Sequence, residues 1–240
     1  MIFALGLLNL SPDTIVVSPY LQNASPTSIV VGWETKGGST ECIVEYGGTD
    51  ALGLTQRGTS QTTVEGHLVH HVKLEGLTPD RRVWYRVRTG DAVHGVHVFR
   101  TPALAKDEGR QRFVAYSDMQ LDEANPLKHQ EMVVHGIVPW STQHAGSELD
   151  TALDFILIPG DLVSTGGNHT HWTRDFFGQG ATLFHSVPFY ATPGNHEQNH
   201  PLYFQYVDVP DNGTPGFEEH WYWTDQGNCR VIGLNTNDGY

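Results

Sequence analysis

Residues 14–103 alternate apolar and polar positions with a period of two. The runs IVVSPYL (15–21), SIVVGWET (28–35), ECIVEYG (41–47), LVHHVKL (68–74), RRVWYRVR (81–88) and GVHVFRT (95–101) are rich in β-branched and aromatic residues, which suit a pleated, half-buried surface. Ile29, Val31 and Trp33 fall on one face, as do Cys42, Val44 and Tyr46, and Val83, Tyr85 and Val87. That is the alternation a strand imposes. Gly37-Gly38, Gly47-Gly48 and Thr78-Pro79-Asp80 separate the runs and supply turn residues. Short strands at this spacing predict a β-sandwich over about residues 12–103.

The pattern changes after a polar linker, Ala103 to Gln111. Apolar runs at Phe113–Tyr116, Phe155–Ile158 and Val187–Tyr190 now alternate with the helix-compatible stretches 125–137 and 171–184. This is the signature of a parallel α/β sheet, and it predicts a second domain over residues 111–240. Trp172, Phe176 and Phe177 fall at helical spacing and are expected to pack on that sheet. HWYWTDQGNCRVIGLNT reads as a β-hairpin turning at Asp225-Gln226-Gly227-Asn228.

Composition narrows the function. Of 240 residues, 27 are Asp or Glu and 14 are Lys or Arg, a net charge of −13. No nucleic-acid backbone binding is expected, because that needs a basic face. A phosphate substrate would be repelled overall, so a phosphate site needs local positive charge, which bound metal ions supply. Cys42 and Cys229 lie far apart; they are either buried thiols or one bridge, and form no metal-type cluster. No stretch reaches the ~18 apolar residues of a membrane span. Ile2 to Leu10 is apolar apart from Asn9 and resembles the core of a secretory signal, without a basic start or a small-x-small cleavage site. Read as the remnant of a leader, it places the protein outside the cell or in the periplasm. Asn168-His169-Thr170 and Asn212-Gly213-Thr214 are glycosylation sequons, meaningful only in a eukaryotic secretory pathway.

The candidate chemistry lies where the three later apolar runs end. They lead into SDMQ with Asp118, PGDLV with Asp161, and PGNHE with Asn195 and His196. Asp118 and Asp161 are 43 residues apart, and Asp161 and Asn195 are 34 apart, room enough for crossover connections. Parallel neighbours would bring all three groups to one sheet edge, where open α/β sheets hold ligands. Two carboxylates and an amide oxygen are hard ligands for divalent cations. A single Asp at a strand end would be no more than a helix cap.

This order of Asp-x-x, Gly-Asp and Gly-Asn-His resembles the calcineurin-like metallophosphoesterase family. LEGLTPDRRVWYRVRTG (74–90), Trp33 and the closing FRTP (99–102) resemble a fibronectin type III domain. Together they look most like a purple-acid-phosphatase-type enzyme: a fibronectin-like sandwich followed by an incomplete αββα phosphoesterase domain. The resemblance implies two metal ions (Fe, Mn or Zn) and a small phosphate-ester substrate. Asp118 would bind the first metal, Asp161 would bridge both, and Asn195 would bind the second. His196 would contact the phosphate or protonate the leaving oxygen.

The chain also departs from that family. The corner Leu77 is followed six residues later by Val83 rather than Tyr, so the tyrosine corner is missing or displaced to Tyr85. The residue three after Asp161 is Ser164 rather than the tyrosine that gives the purple colour. Gln120 stands where non-purple relatives carry His, and is expected to hydrogen-bond behind the first metal. The family's later histidine segments do not occur before Tyr240, so the sequence reads as the N-terminal part of a longer product, inactive by itself. His169 and His171 are assigned to a solvated loop; His70 and His71 are structural; His185, His200 and His220 carry no motif. The competing functions are a phosphodiesterase or nucleotidase on the same scaffold, and a pseudoenzyme or binding module.

Overall fold

The period-two runs form strands in the computed structural model, which describes residues 13–105 and 109–237; the apolar stretch Ile2 to Leu10 lies outside them. The strands are β1 (Thr14–Ser25), β2 (Ser28–Lys36), β3 (Ile43–Gly47), β4 (Leu54–Arg57), β5 (Thr59–Thr62), β6 (Leu68–Glu75), β7 (Arg82–Thr89), β8 (Ala92–Val93) and β9 (His97–Arg100). β1, β2, β6 and β5 are neighbours in one sheet. β4, β3, β7 and β8 form the other, with β9 also pairing β7. Between them lie Leu21, Ile29, Val31, Trp33, Val44, Val72, Leu74, Tyr85, Val87 and Phe99. The inward faces are those the alternation predicts, and burying each large side chain contributes about 1.5–3 kcal/mol. The Trp33 indole donates to Thr89 Oγ1 at 2.9 Å, so burial strands no polar group there. β4 and β5 were not anticipated. Every residue of β4 is exposed, so it lies in the sheet by backbone pairing alone and shows no apolar alternation.

The second part supplies β10 (Phe113–Ala115), β11 (Phe155–Pro159) and β12 (Phe189–Thr192), paired in parallel and in that order. The expected helix at 125–137 starts at Lys128 and runs through three successive segments, Lys128–Glu131, a wider-wound Met132–Ile137, and Val138–His144. The helix at 171–184 appears as His171–Gly178 followed by Gln179–Phe184. Trp172, Phe176 and Phe177 are buried in the core with Phe184 and Phe189. The hairpin of β13 (Trp221–Gln226) and β14 (Cys229–Leu234) turns on Gly227-Asn228 alone. Gly227 has a φ of +57° there, a conformation glycine takes without strain. Both cysteines are free. Among the described residues, no helix is long and apolar enough to cross a membrane.

One feature joins the two parts. β1 pairs antiparallel with β2 and also parallel with β12, through Gln22 and Phe189, so a single seven-stranded sheet runs from sandwich to α/β region. Val17, Tyr20 and Val69 of the sandwich belong to the same buried cluster as Phe176, Phe177 and Phe189. Tyr20 OH donates to Tyr206 O at 3.0 Å and Tyr190 OH to Ala24 O at 2.8 Å. Tyr85 is no corner tyrosine within the sandwich. Its hydroxyl donates across the junction to the His185 carbonyl at 2.8 Å.

Candidate metal centre

Each parallel strand leads into a tight turn at its carboxyl end. Asp118 and Asp161 take φ values of 60° and 54°, in the left-handed region that costs a non-glycine residue about 1–3 kcal/mol and often marks functional turns. The turns touch one another. Met119 N donates to Asp161 O at 3.0 Å. A Cβ on Gly160 would lie 2.7 Å from Gly194 Cα, and one on Gly194 would lie 2.2 Å from Asp161 Oδ1. The glycines preceding Asp161 and Asn195 thus let these two turns close on each other; approach to a metal ion is not what demands them.

Glu197, which the sequence reading passed over, holds the two turns together. It is fully buried. Its Oε2 accepts from Asp161 N at 2.9 Å and Gly194 N at 2.7 Å, and its Oε1 from Val163 N at 3.1 Å. Burial pushes its carboxyl pKa up, while those three amides pull it back. The nearby Asp161 carboxylate adds to the rise, but all three hydrogen bonds come from donors, which fits the ionised form. The signal was present in the sequence as an acid placed directly after a Gly-Asn-His turn.

The side chains at this edge are fixed to different degrees. Asp161 Oδ1 accepts from His196 N at 3.2 Å, and Oδ2 from Gln120 Nε2 at 3.0 Å. Gln120 therefore holds one oxygen of the Asp161 carboxylate. Ser117 Oγ donates to Asp118 Oδ2. Asp118 and Asn195 are exposed and Asp161 is half-buried. His196 Nδ1 lies 2.9 Å from the Ser164 carbonyl. A carbonyl only accepts, so Nδ1 carries a proton and Nε2 is the atom free to exchange one. Ser164 Oγ accepts from Leu121 N at 2.8 Å, tying the first turn to the second.

These residues fit a hard cation. Each Asp161 oxygen has one donor and retains acceptor capacity, Asp118 faces solvent, and the Asn195 amide has no hydrogen bond to a described residue. The set consists of oxygens alone. Among the described residues, groups of three His, Cys, Asp or Glu able to share an ion occur elsewhere, as His94–His97–His185 and Glu34–His67–His169. His169 is neither a solvated loop residue nor a ligand beside Asp161. It is buried, with Nε2 2.6 Å from Glu34 Oε1 of the sandwich. His171 is bonded to Asn168. His70 is structural as expected, held by Thr35 and Ser60 and stacked on Trp33.

Residues 111–235 match the calcineurin-like phosphoesterase family, and residues 12–101 match the N-terminal domain of purple acid phosphatases. The chain belongs to the calcineurin-like phosphoesterases and carries a purple-acid-phosphatase-type domain in front. Among solved structures, it is similar to purple acid phosphatase PPD1 from yellow lupin (Lupinus luteus) seeds, with a TM-score of 0.67, 18% identity, and coverage of 92% of this chain and 46% of that one. It is equally similar to PhoD, with a TM-score of 0.67, 14% identity, and coverage of 92% and 52%. These likenesses are of fold, and the chain spans about half the length of either structure. No curated protein matches it.

Proposed function

We propose that the protein hydrolyses phosphate monoesters at a two-metal centre, with Asp118, Asp161 and Asn195 as metal ligands, Asp161 bridging, and His196 as the adjacent acid. The observation that carries this reading is the joining of the Asp161 and Gly194 turns by the buried Glu197 carboxylate. It sets Asp161 and Asn195 side by side on adjoining strand ends. The match of the N-terminal domain to purple acid phosphatases is what supports monoesters over diesters.

Bound cations, whether Fe, Mn or Zn, would activate a water and neutralise the phosphoryl oxygens. The protein's own residues do the rest. Gln120 and the His196 amide orient the Asp161 carboxylate. The Ser164 carbonyl sets the His196 tautomer, leaving Nε2 to hydrogen-bond a phosphoryl oxygen or to protonate the departing alkoxide. Ser164 cannot give a tyrosinate-to-iron colour, so the loaded protein should not be purple. With oxygen ligands alone among the described residues, this chain is expected to bind metal weakly and to turn over p-nitrophenyl phosphate slowly.

The test is Mn²⁺ affinity by titration calorimetry, together with rates on aryl and alkyl phosphates. Asp161→Asn should lower affinity at least tenfold, because a charged bridge becomes a neutral amide. His196→Ala should keep the metal and lose about 10²–10⁴ in rate on alkyl esters, and less on p-nitrophenyl phosphate, whose leaving group needs little protonation. Unchanged Mn²⁺ binding in Asp161→Asn would remove the centre. Faster turnover of bis(p-nitrophenyl) phosphate than of the monoester would favour the diesterase reading.

A further inference from the structure

Three histidines meet at the junction of the two domains, at the end of the sheet opposite Asp161. His94 follows β8, His97 opens β9, and His185 follows the helical segment Gln179–Phe184. Their backbones are fixed. His94 N donates to Val87 O at 3.1 Å, His97 pairs with Tyr85 in the sheet, and His185 O accepts from Tyr85 OH at 2.8 Å. The rings gather closely, with centroids 4.9 Å apart for His94 and His97, 4.0 Å for His97 and His185, and 5.5 Å for His94 and His185.

One ring nitrogen from each histidine lies within 4.8 Å of the other two. A tetrahedral ion with bonds of ~2.0–2.1 Å needs nitrogens ~3.3 Å apart. His94 Nδ1 and His97 Nε2, now 2.8 Å apart, would open by about half an ångström, and His185 would close by a rotamer adjustment. His185 Nε2 is buried with no hydrogen-bond partner, a state native proteins rarely leave unexplained. Burial lowers the pKa of all three, His185 to about 3 and His97 to about 4, so each imidazole is uncharged near neutrality and offers a lone pair. His185 also follows a helix's carboxyl end, which favours a cation.

The Glu34–His67–His169 group is different. Both imidazoles bond to Glu34 Oε1, and Tyr206 OH donates to Oε2, so that network is complete as hydrogen bonds. In the three-histidine group an orphaned nitrogen remains, and the ligands are all imidazole. Such a set selects Zn²⁺, Cu²⁺ or Ni²⁺ over Mg²⁺, Ca²⁺ or Mn²⁺.

We propose that His94, His97 and His185 form a zinc site that clamps the sandwich to the phosphoesterase domain, with the fourth position open to water. The site is separate from the strand-end centre. His185 precedes β12 and Asn195 follows it, so at least the length of that strand, ~13 Å for four residues, lies between them.

The test uses the purified chain stripped with chelator and titrated with Zn²⁺, and with Co²⁺ as a spectroscopic probe. Wild type should bind Zn²⁺ at a tight site that Asp161→Asn retains, gain several degrees in melting temperature, and give the intense visible bands of four-coordinate Co²⁺. His185→Gln should weaken that binding at least tenfold and abolish both the bands and the thermal shift. His94 is only half-buried, so His94→Gln should do the same without risk to folding; His67→Gln should not. Equal zinc binding and thermal shift in wild type and His94→Gln would overturn the proposal. So would loss of the Co²⁺ bands in Asp161→Asn or His67→Gln, which would place the ion elsewhere.

Discussion

Replacement of Glu197 separates the role of its charge from that of its shape. In Glu197→Ala, the amides of Asp161, Val163 and Gly194 lose their acceptor at once. They sit around a side chain with no solvent exposure, so water does not simply replace it. Hydrogen bonds to a charged acceptor are each worth about 1.5–3 kcal/mol. Removing the carboxylate also removes its own cost of burial, which offsets part of the loss. Each buried amide left unsatisfied costs about 1–3 kcal/mol, so the expected net destabilisation is about 3–5 kcal/mol once the relieved burial cost is subtracted. In Glu197→Gln, the amide oxygen can stand at Oε2 and keep the bonds from Asp161 and Gly194. Its NH₂ then faces Val163 N–H, so one bond is lost and the charge with it, at a cost of about 1–3 kcal/mol. Urea denaturation measures both values, and hydrogen exchange reads the three amides individually. In Glu197→Gln only Val163 should lose protection; in Glu197→Ala all three should. Equal stability of the two variants, or unchanged protection in Glu197→Ala, would refute the reasoning.

Two further outcomes follow from the same geometry. Gly194→Ala places a Cβ 2.2 Å from Asp161 Oδ1 and 2.4 Å from Asp161 N. The second is backbone and cannot rotate away, so the variant should lose about 1–3 kcal/mol and its Mn²⁺ affinity, whereas Gly48→Ala, with nothing within 4 Å, should change neither. Stability should also be bell-shaped in pH. Burial lowers His70 and His129 to about 4, so between pH 6.5 and 4 the unfolded chain takes up protons that the folded one refuses, and stability falls as pH falls. Glu219 works in the opposite sense. Burial and its neighbours Asp208, Asp211 and Glu218 raise it to about 8, so its contribution is full below about pH 4.5 and is lost as pH rises towards 8. Thermal melts across pH 4–9 should show the acid limb flattened by His129→Gln and the alkaline limb by Glu219→Gln.

The parts legible in the sequence are those that local patterning controls. Val83, Tyr85 and Val87 alternate because one face of β7 is buried, and the runs ending at Asp161 and Asn195 are apolar because β11 and β12 are covered; β10, which leads to Asp118, is an edge strand with Phe113 exposed. What escaped the reading depends on distant partners. Leu54–Arg57 forms a strand only because β3 offers it backbone groups. The pairing of Gln22 with Phe189 joins residues far apart in the chain and leaves no periodic trace. His169 and His185 carry no motif because their neighbours, Glu34 in one case and His94 and His97 in the other, belong to the other domain. Glu197 reads as a polar turn residue until the turn it faces is known.

These distant contacts change the status of the sandwich. Glu34 of β2 is fully buried, and its three donors are His67 of the sandwich, His169 of the loop after Asp161, and Tyr206 of the helix Pro201–Tyr206. The loop that His169 anchors also supplies the carbonyl of Ser164 to His196 Nδ1, and the amide of Gly166 to His196 O at 2.9 Å. Gly166 is held in turn by the Trp172 indole at 2.8 Å. The side chain proposed to handle the proton is therefore braced by a loop whose own anchor is a carboxylate of the first domain. Removing the sandwich would strip β1 from the edge of β12, open the core at Tyr20 and Val17, and leave His169 without its acceptor. A domain that completes both the sheet and the support of the proposed site is part of that site's scaffold, and no accessory attached to it.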